Sequence, residues 1–199
     1  MDDHPVRITI DDDLRRSRLT VFFRLLLAIP HLVWLSLWGY ALYVAAFLGW
    51  IAALVLGRLP RPLHRFSAAY VSYAAQVYAY LFLIANPFPG FVGAGYPLQI
   101  VIDPPARQNR LVTLFRLVLA VPAFLIATVL TYLLYLIGFL GWFAALATGR
   151  MPPGFRDAGA AAIRYTAQTY AYSLLLTSRY PHSSPALPAL PEPEPEAVA

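Results

Sequence analysis

The residues of this chain that could do chemistry are polar side chains set within apolar helical patterns, and most come in matched pairs. Tyr73, Gln76 and Tyr80 fall at i, i+3 and i+7, the spacing of one helix face, and Tyr165, Gln168 and Tyr172 repeat them. Such a stripe offers hydroxyl and amide hydrogen bonds but no charge. It suits helix adhesion, worth about 1 kcal/mol per intramembrane hydrogen bond, or the lining of a polar path. If Gln76 and Gln168 meet between the copies, replacing both by Leu is milder than replacing either one. Arg24 and Arg116 lie at the edge of apolar segments and Arg164 lies within one, where a charge is costly and needs a partner. Asp11 and Asp103, on short extended runs, are the candidate partners of the first two. His31 has Ala123 as its counterpart, which excludes a symmetric histidine site, and His4, His64 and His182 show no metal-ligand spacing. There is no serine nucleophile motif, glycine-rich phosphate loop or embedded carboxylate pair. Binding and packing are the expected chemistry, with no enzyme activity, cofactor or metal.

The elements that must position these side chains are duplicated. FLGWIAALVLGRLP, from Phe47 to Pro60, is answered by FLGWFAALATGRMP, from Phe139 to Pro152. Sliding the sequence by 92 positions aligns the halves without a gap from Pro5 to about Pro89 against Pro97 to about Pro181. Roughly 40% of the aligned pairs are identical, far beyond chance for an apolar composition. In each copy an apolar helix runs into Gly57-Arg58-x-Pro60 or Gly149-Arg150-x-Pro152. Glycine there takes the left-handed C-terminal conformation, and proline cannot continue the helix. Arg58 and Arg150 can lay their stems on apolar surface and hold their guanidinium groups among lipid phosphates.

A chain that is 59% hydrophobic and 13% charged, with mean hydropathy +0.59, cannot cover a soluble fold of this size with polar surface. It reads as an integral membrane protein. All 15 basic residues are Arg, and the absence of Cys excludes disulfides and thiolate chemistry. The +5 charge is spread along membrane-flanking segments, which suits anionic headgroups and not nucleic acid. MDDHPVRITIDDD has no apolar core and is not a secretory signal peptide.

Val6 to Ile10 and Leu98 to Ile102 are short β-branched runs, bounded by Pro and Asp, that read as strands pairing with each other or with another extended segment. Leu25 to Leu56 would be about 48 Å long as one helix, against a hydrocarbon core of about 30 Å. It is either one span kinked at Pro30, as its copy is at Pro122, or a hairpin turning near Gly39. Thr131 in the second copy argues against the hairpin. Ser67 to Ala85 and Gly159 to Thr177 are second segments of spanning length. The expected fold is therefore an all-α integral membrane protein, with four transmembrane helices in two parallel tandem repeats and short N-terminal β-strands in each repeat. The first repeat covers 1–90, a linker 91–96, the second repeat 97–182, and a Pro-rich acidic disordered tail 183–199.

The stretches LLLAIPH, FLGWIAALVLGRLP and YAAQVYAYLFL, with second copies ending in LLLTSRYP, resemble the bacterial membrane proteins grouped as domain-of-unknown-function family 4389. The likeness runs to about Pro181. The family pattern has R-x-L-L-x-I-P-H, a W-F-x-x-L-x-T-G-R-x-P hinge and an L-T-x-x-Y-P-P-F end. The second copy keeps Thr148-Gly149-Arg150 and Leu176-Thr177-Ser178-Arg179-Tyr180-Pro181. The first has Leu56 in place of the Thr, and Ile84-Ala85-Asn86-Pro87-Phe88 as its end. The resemblance implies a duplicated membrane domain and carries no activity.

Two functions fit these observations: a non-enzymatic accessory or scaffold subunit of a membrane assembly or a lipid-binding protein, or else a small transporter or channel with a Tyr/Gln-lined path between the repeats. The expected partners are membrane lipids and either another membrane protein or a second copy, with no nucleic acid. The expected location is the bacterial inner membrane, multi-pass, with both termini cytoplasmic. The arginine balance of the two faces, about nine against six, gives that orientation little force.

Overall fold

A computed structural model describes residues 6–10, 13–90, 96–105 and 107–182. Asp11, most of the expected linker and the whole expected tail lie outside the described residues. In chain order the elements are β1 (Val6–Ile10), α1 (Arg18–Phe22), α2 (Arg24–Leu56), α3 (Arg61–Leu81), β2 (Leu98–Ile102), α4 (Arg110–Thr148) and α5 (Pro153–Ser173).

Both long helices are continuous, with Pro30 and Pro122 inside them, so the hairpin alternative at Gly39 does not form. The Leu- and Ala-rich flanks propagate the helix past the one hydrogen bond that each proline removes. The ends follow from local chemistry. Gly57 and Gly149 adopt φ of 70° and 71°, and their N–H groups donate to the carbonyls of Ala53 and Ala145. Pro60 and Pro152 then stand at the N-caps of α3 and α5.

Along α2 the buried positions Arg24, Ala28, His31, Leu35, Leu42, Ala45, Gly49 and Ala53 trace one stripe, and α4 repeats it. Small residues in the stripe allow close approach: a Cβ on Gly138 would stand 2.5 Å from Phe82, and one on Gly49 2.8 Å from Leu59. The remaining circumference of α2 and α4 is mostly apolar and exposed.

Two features correct the expected four-span, parallel arrangement. Among the described residues only α2 and α4 are long and apolar enough to cross a membrane by length and composition. The segments now seen as α3 and α5 carry Arg61, His64, Arg65 and Gln76, and Arg156, Asp157, Arg164 and Gln168. The repeats also run in opposite directions. Trp142, near the end of α4, bonds the Val21 carbonyl before α2, while Trp50, near the end of α2, bonds the Thr113 carbonyl at the start of α4. Starts meet ends at both extremities, which only antiparallel helices allow. The pseudo-twofold axis therefore stands perpendicular to the helix axes.

β1 and β2 form an antiparallel two-stranded ribbon with Ile8 opposite Ile100, residues equivalent in the two copies. β2 lies along α3, with the Leu98 carbonyl taken by Gln76 and the Asp103 backbone close to the His64 ring. β1 contacts α5. Three layers result: the ribbon, the inner pair α3 and α5, and the outer pair α2 and α4. The core lies between the last two layers, where Leu134, Ile137, Ile84, Ile163 and Leu176 are buried.

Candidate functional site

Two equivalent polar clamps, one at each end of the bundle, fasten the start of each long helix to the end of the inner helix of its own repeat. At the first end Arg24 is buried, donates to the carbonyls of Ala85 (2.9 Å) and Asn86 (3.2 Å), and stacks 4.2 Å from the Tyr80 ring centroid. At the other end Arg116 donates to the carbonyls of Tyr172 and Thr177, both at 3.1 Å, and lies 4.5 Å from the Tyr172 ring. These charges settle on helix C-terminal carbonyls and aromatic faces, both favourable for a cation. Asp103 is exposed and Asp11 lies outside the described residues, so carbonyl groups are the partners the structure provides for Arg116.

Leu83 and Leu175 follow α3 and α5 at φ of 63° and 65°, a left-handed conformation that strains a branched side chain by roughly 1 kcal/mol. A long polar side chain from the preceding loop holds each one. Arg16 donates to the carbonyls of Leu83 (2.8 Å) and Ile84 (3.2 Å), and Gln108 donates to that of Leu175 (2.7 Å). The same two residues tie each loop to the opposite hinge, through Arg16 N to Gly149 O at 2.8 Å and Gln108 N to Gly57 O at 2.9 Å. Arg18 and Arg110 add bonds to Ala147 O and Val55 O, each 3.0 Å. Sequence reasoning missed Arg16, Gln108, Trp50 and Trp142 as the residues that dock the copies. Their acceptors are backbone carbonyls, which no side-chain pattern reveals, and the Arg16/Gln108 mismatch conceals the equivalence. The Trp50/Trp142 identity inside the hinge repeat was the available signal.

Tyr73, Gln76 and Tyr80, with Tyr165, Gln168 and Tyr172, are all buried in the inner layer. Gln76 donates to Leu98 O at 3.5 Å, whereas Gln168 accepts from His182 N at 3.4 Å. The two amides thus serve separate partners and do not bond across the axis. Tyr73 meets His31, whose Nδ1 is 2.6 Å from the hydroxyl oxygen, and the His31 ring packs 4.5 Å from Phe88. Burial holds the His64 imidazole below its usual pKa. Arg58 and Arg150 are exposed beside the hinges. An open cleft of about 640 Å³ follows the seam, lined by Asp13, Arg15, Arg150 and Pro152 among others. Among the described residues no three His, Cys, Asp or Glu side chains converge as metal ligands.

The outer pair supplies the surface. Leu25, Leu26, Ile29, Val33, Trp34, Leu37, Phe47, Ile51 and Val55 of α2 are exposed, and α4 exposes Leu117, Val118, Leu125, Val129, Leu136, Phe139 and Phe143. This apolar face is the kind of surface that binds a membrane or another protein.

A duplicated, mostly helical protein with two candidate membrane helices is the class that this architecture defines. The domain of unknown function DUF4389 matches residues 18–92 and again 110–184, and the chain belongs to that family as two tandem copies. No curated protein and no solved structure matches it.

Proposed function

We propose that the protein is a non-enzymatic scaffold of the bacterial cell membrane that contacts lipid through α2 and α4 and serves as an accessory subunit of a larger assembly. The observation that carries this reading is the broad, mostly apolar exposed surface on two helices whose buried arginines, Arg24 and Arg116, are turned inward onto carbonyls. Exposed Tyr40, Tyr43, Tyr132 and Tyr135 on the same helices supply the amphipathic aromatic area that protein partners favour, so the partner is another membrane protein or a second copy. The transporter reading has less support. The Tyr/Gln stripe that would line its path is packed against the ribbon and the outer helices, with Gln76 and Gln168 bonded to separate partners.

Affinity purification from membranes in a mild detergent tests the proposal. Retention in the membrane fraction after an alkaline carbonate wash and co-purification of a membrane partner, or a stable homo-oligomer without flux, are the expected results. Substrate-dependent flux into liposomes containing only this protein would overturn the scaffold reading. Release into the carbonate supernatant would overturn the membrane reading.

A further inference from the structure

Building on that reading, we infer that α2 and α4 lie along one leaflet instead of crossing the bilayer, seated on anionic phospholipid with the pseudo-twofold axis along the membrane normal. The first support is length. The apolar runs Leu25 to Leu56 and Leu111 to Ala147 are about 48 and 55 Å long, and fitting them across about 30 Å of hydrocarbon needs a tilt of about 50° or more. Membrane helices are tilted about 0–40°, whereas a helix lying in the interface has no such length limit.

The second support is the chain between the inner and outer pairs. α3 ends at one extremity of the bundle and α4 starts at the other, and between them β2 runs back beside α3 from the level of Gln76 to that of His64. If the helices crossed the bilayer, the two-stranded ribbon would lie at its mid-depth with Gln99 exposed and with open strand edges, which hydrocarbon does not tolerate. With the axis along the normal, the ribbon faces water, the inner pair lies below it, and the apolar outer pair faces acyl chains.

The third support is charge. Exposed Arg15, Arg18, Arg107 and Arg110, together with Arg58 and Arg150, sit at the two ends of the outer pair. Across a bilayer they would divide almost evenly between its faces, against the usual cytoplasmic excess. Along one leaflet they form two basic ends around an apolar centre, complementary to phosphates and acyl chains of a single anionic surface.

The absence of Cys permits a clean labelling test with Gly154→Cys, Ser178→Cys and Gln99→Cys, each exposed and placed at one end, at the other end and on the ribbon. An impermeant maleimide is applied to right-side-out and inside-out cell vesicles. The expected result is labelling of all three in the same preparation. Labelling of Gly154→Cys and Ser178→Cys in opposite preparations, or protection of Gln99→Cys in both, overturns the in-plane seat while leaving the membrane reading intact. A detergent-free soluble dimer, with the apolar faces closed on each other, overturns both. For lipid class, outward-facing Trp34 reports quenching by bilayers of phosphatidylcholine and phosphatidylglycerol in which only one component carries brominated chains. Stronger quenching by the brominated phosphatidylglycerol is expected, reduced in Arg58→Gln/Arg150→Gln by up to about fivefold in local enrichment per arginine. Equal quenching by both lipids in the unaltered protein overturns the anionic preference.

Discussion

The opposed direction of the repeats makes a prediction that a cross-link can decide. Arg15 and Arg150 face each other as an isolated antiparallel bridge, flanked by Arg16 N to Gly149 O at 2.8 Å and Met151 N to Leu14 O at 3.0 Å. That flanking pattern defines a non-hydrogen-bonded pair, whose Cα atoms are about 4.5 Å apart, within the range that a disulfide spans. The double variant Arg15→Cys/Arg150→Cys should therefore oxidise within one chain. The bond closes a loop of roughly 135 residues, so chain entropy gives a stabilisation of about 5 kcal/mol and a rise in melting temperature of about 10 °C. Mobility on non-reducing gels and melting with and without reductant, with the two single variants as controls, provide the assay. Arg15→Cys/Arg107→Cys pairs equivalent positions that parallel repeats would bring to one end and that here lie at opposite ends. A disulfide in that variant and none in Arg15→Cys/Arg150→Cys would refute the antiparallel docking.

Arg24→Lys should lose about 2 kcal/mol of stability in a detergent melt, because an ammonium cannot reproduce both the two-carbonyl fork and the stack on Tyr80; a melt equal to wild type would remove the clamp from the account. Gly57→Val and Gly149→Val should each cost roughly 1 kcal/mol or more, since β-branched residues are strained at φ near 70°, and unchanged expression and melting of both would contradict the cap geometry. Gly138→Ala places its Cβ 2.5 Å from Phe82 and should destabilise by about 1–3 kcal/mol, while pairing it with Phe82→Leu should recover part of the loss; no effect of the single change would mean that the helices are not in contact there. Gln76→Leu and Gln168→Leu should add to within about 0.5 kcal/mol, because the amides have separate partners, and a double variant milder than either single would show that they meet after all.

Features set within a few residues were legible in the sequence alone. The duplication is visible because equivalent residues recur at one fixed separation. The helix ends are visible because glycine, and then proline, answer backbone requirements that arise within a single turn. The family and the apolar character of α2 and α4 rest on composition and motif in the same way. The relative direction of the copies was not legible, and the parity argument for parallel repeats failed for a physical reason. It assumed that the chain between α3 and α4 stays at one end, whereas a connection of that length can extend about 70 Å, more than the roughly 50 Å of the helices, and β2 within it runs back beside α3. What selects that course is docking onto main-chain carbonyls of the other copy: Trp50 on Thr113, Trp142 on Val21, the Arg16 N–H on Gly149 and the Gln108 N–H on Gly57. Every residue carries a carbonyl, so the choice of acceptor has no sequence signature. The tertiary structure alone decided that α3 and α5 are inner helices, because their tyrosines and glutamines satisfy a core position or a membrane-spanning position equally well until the ribbon is seen to cover them.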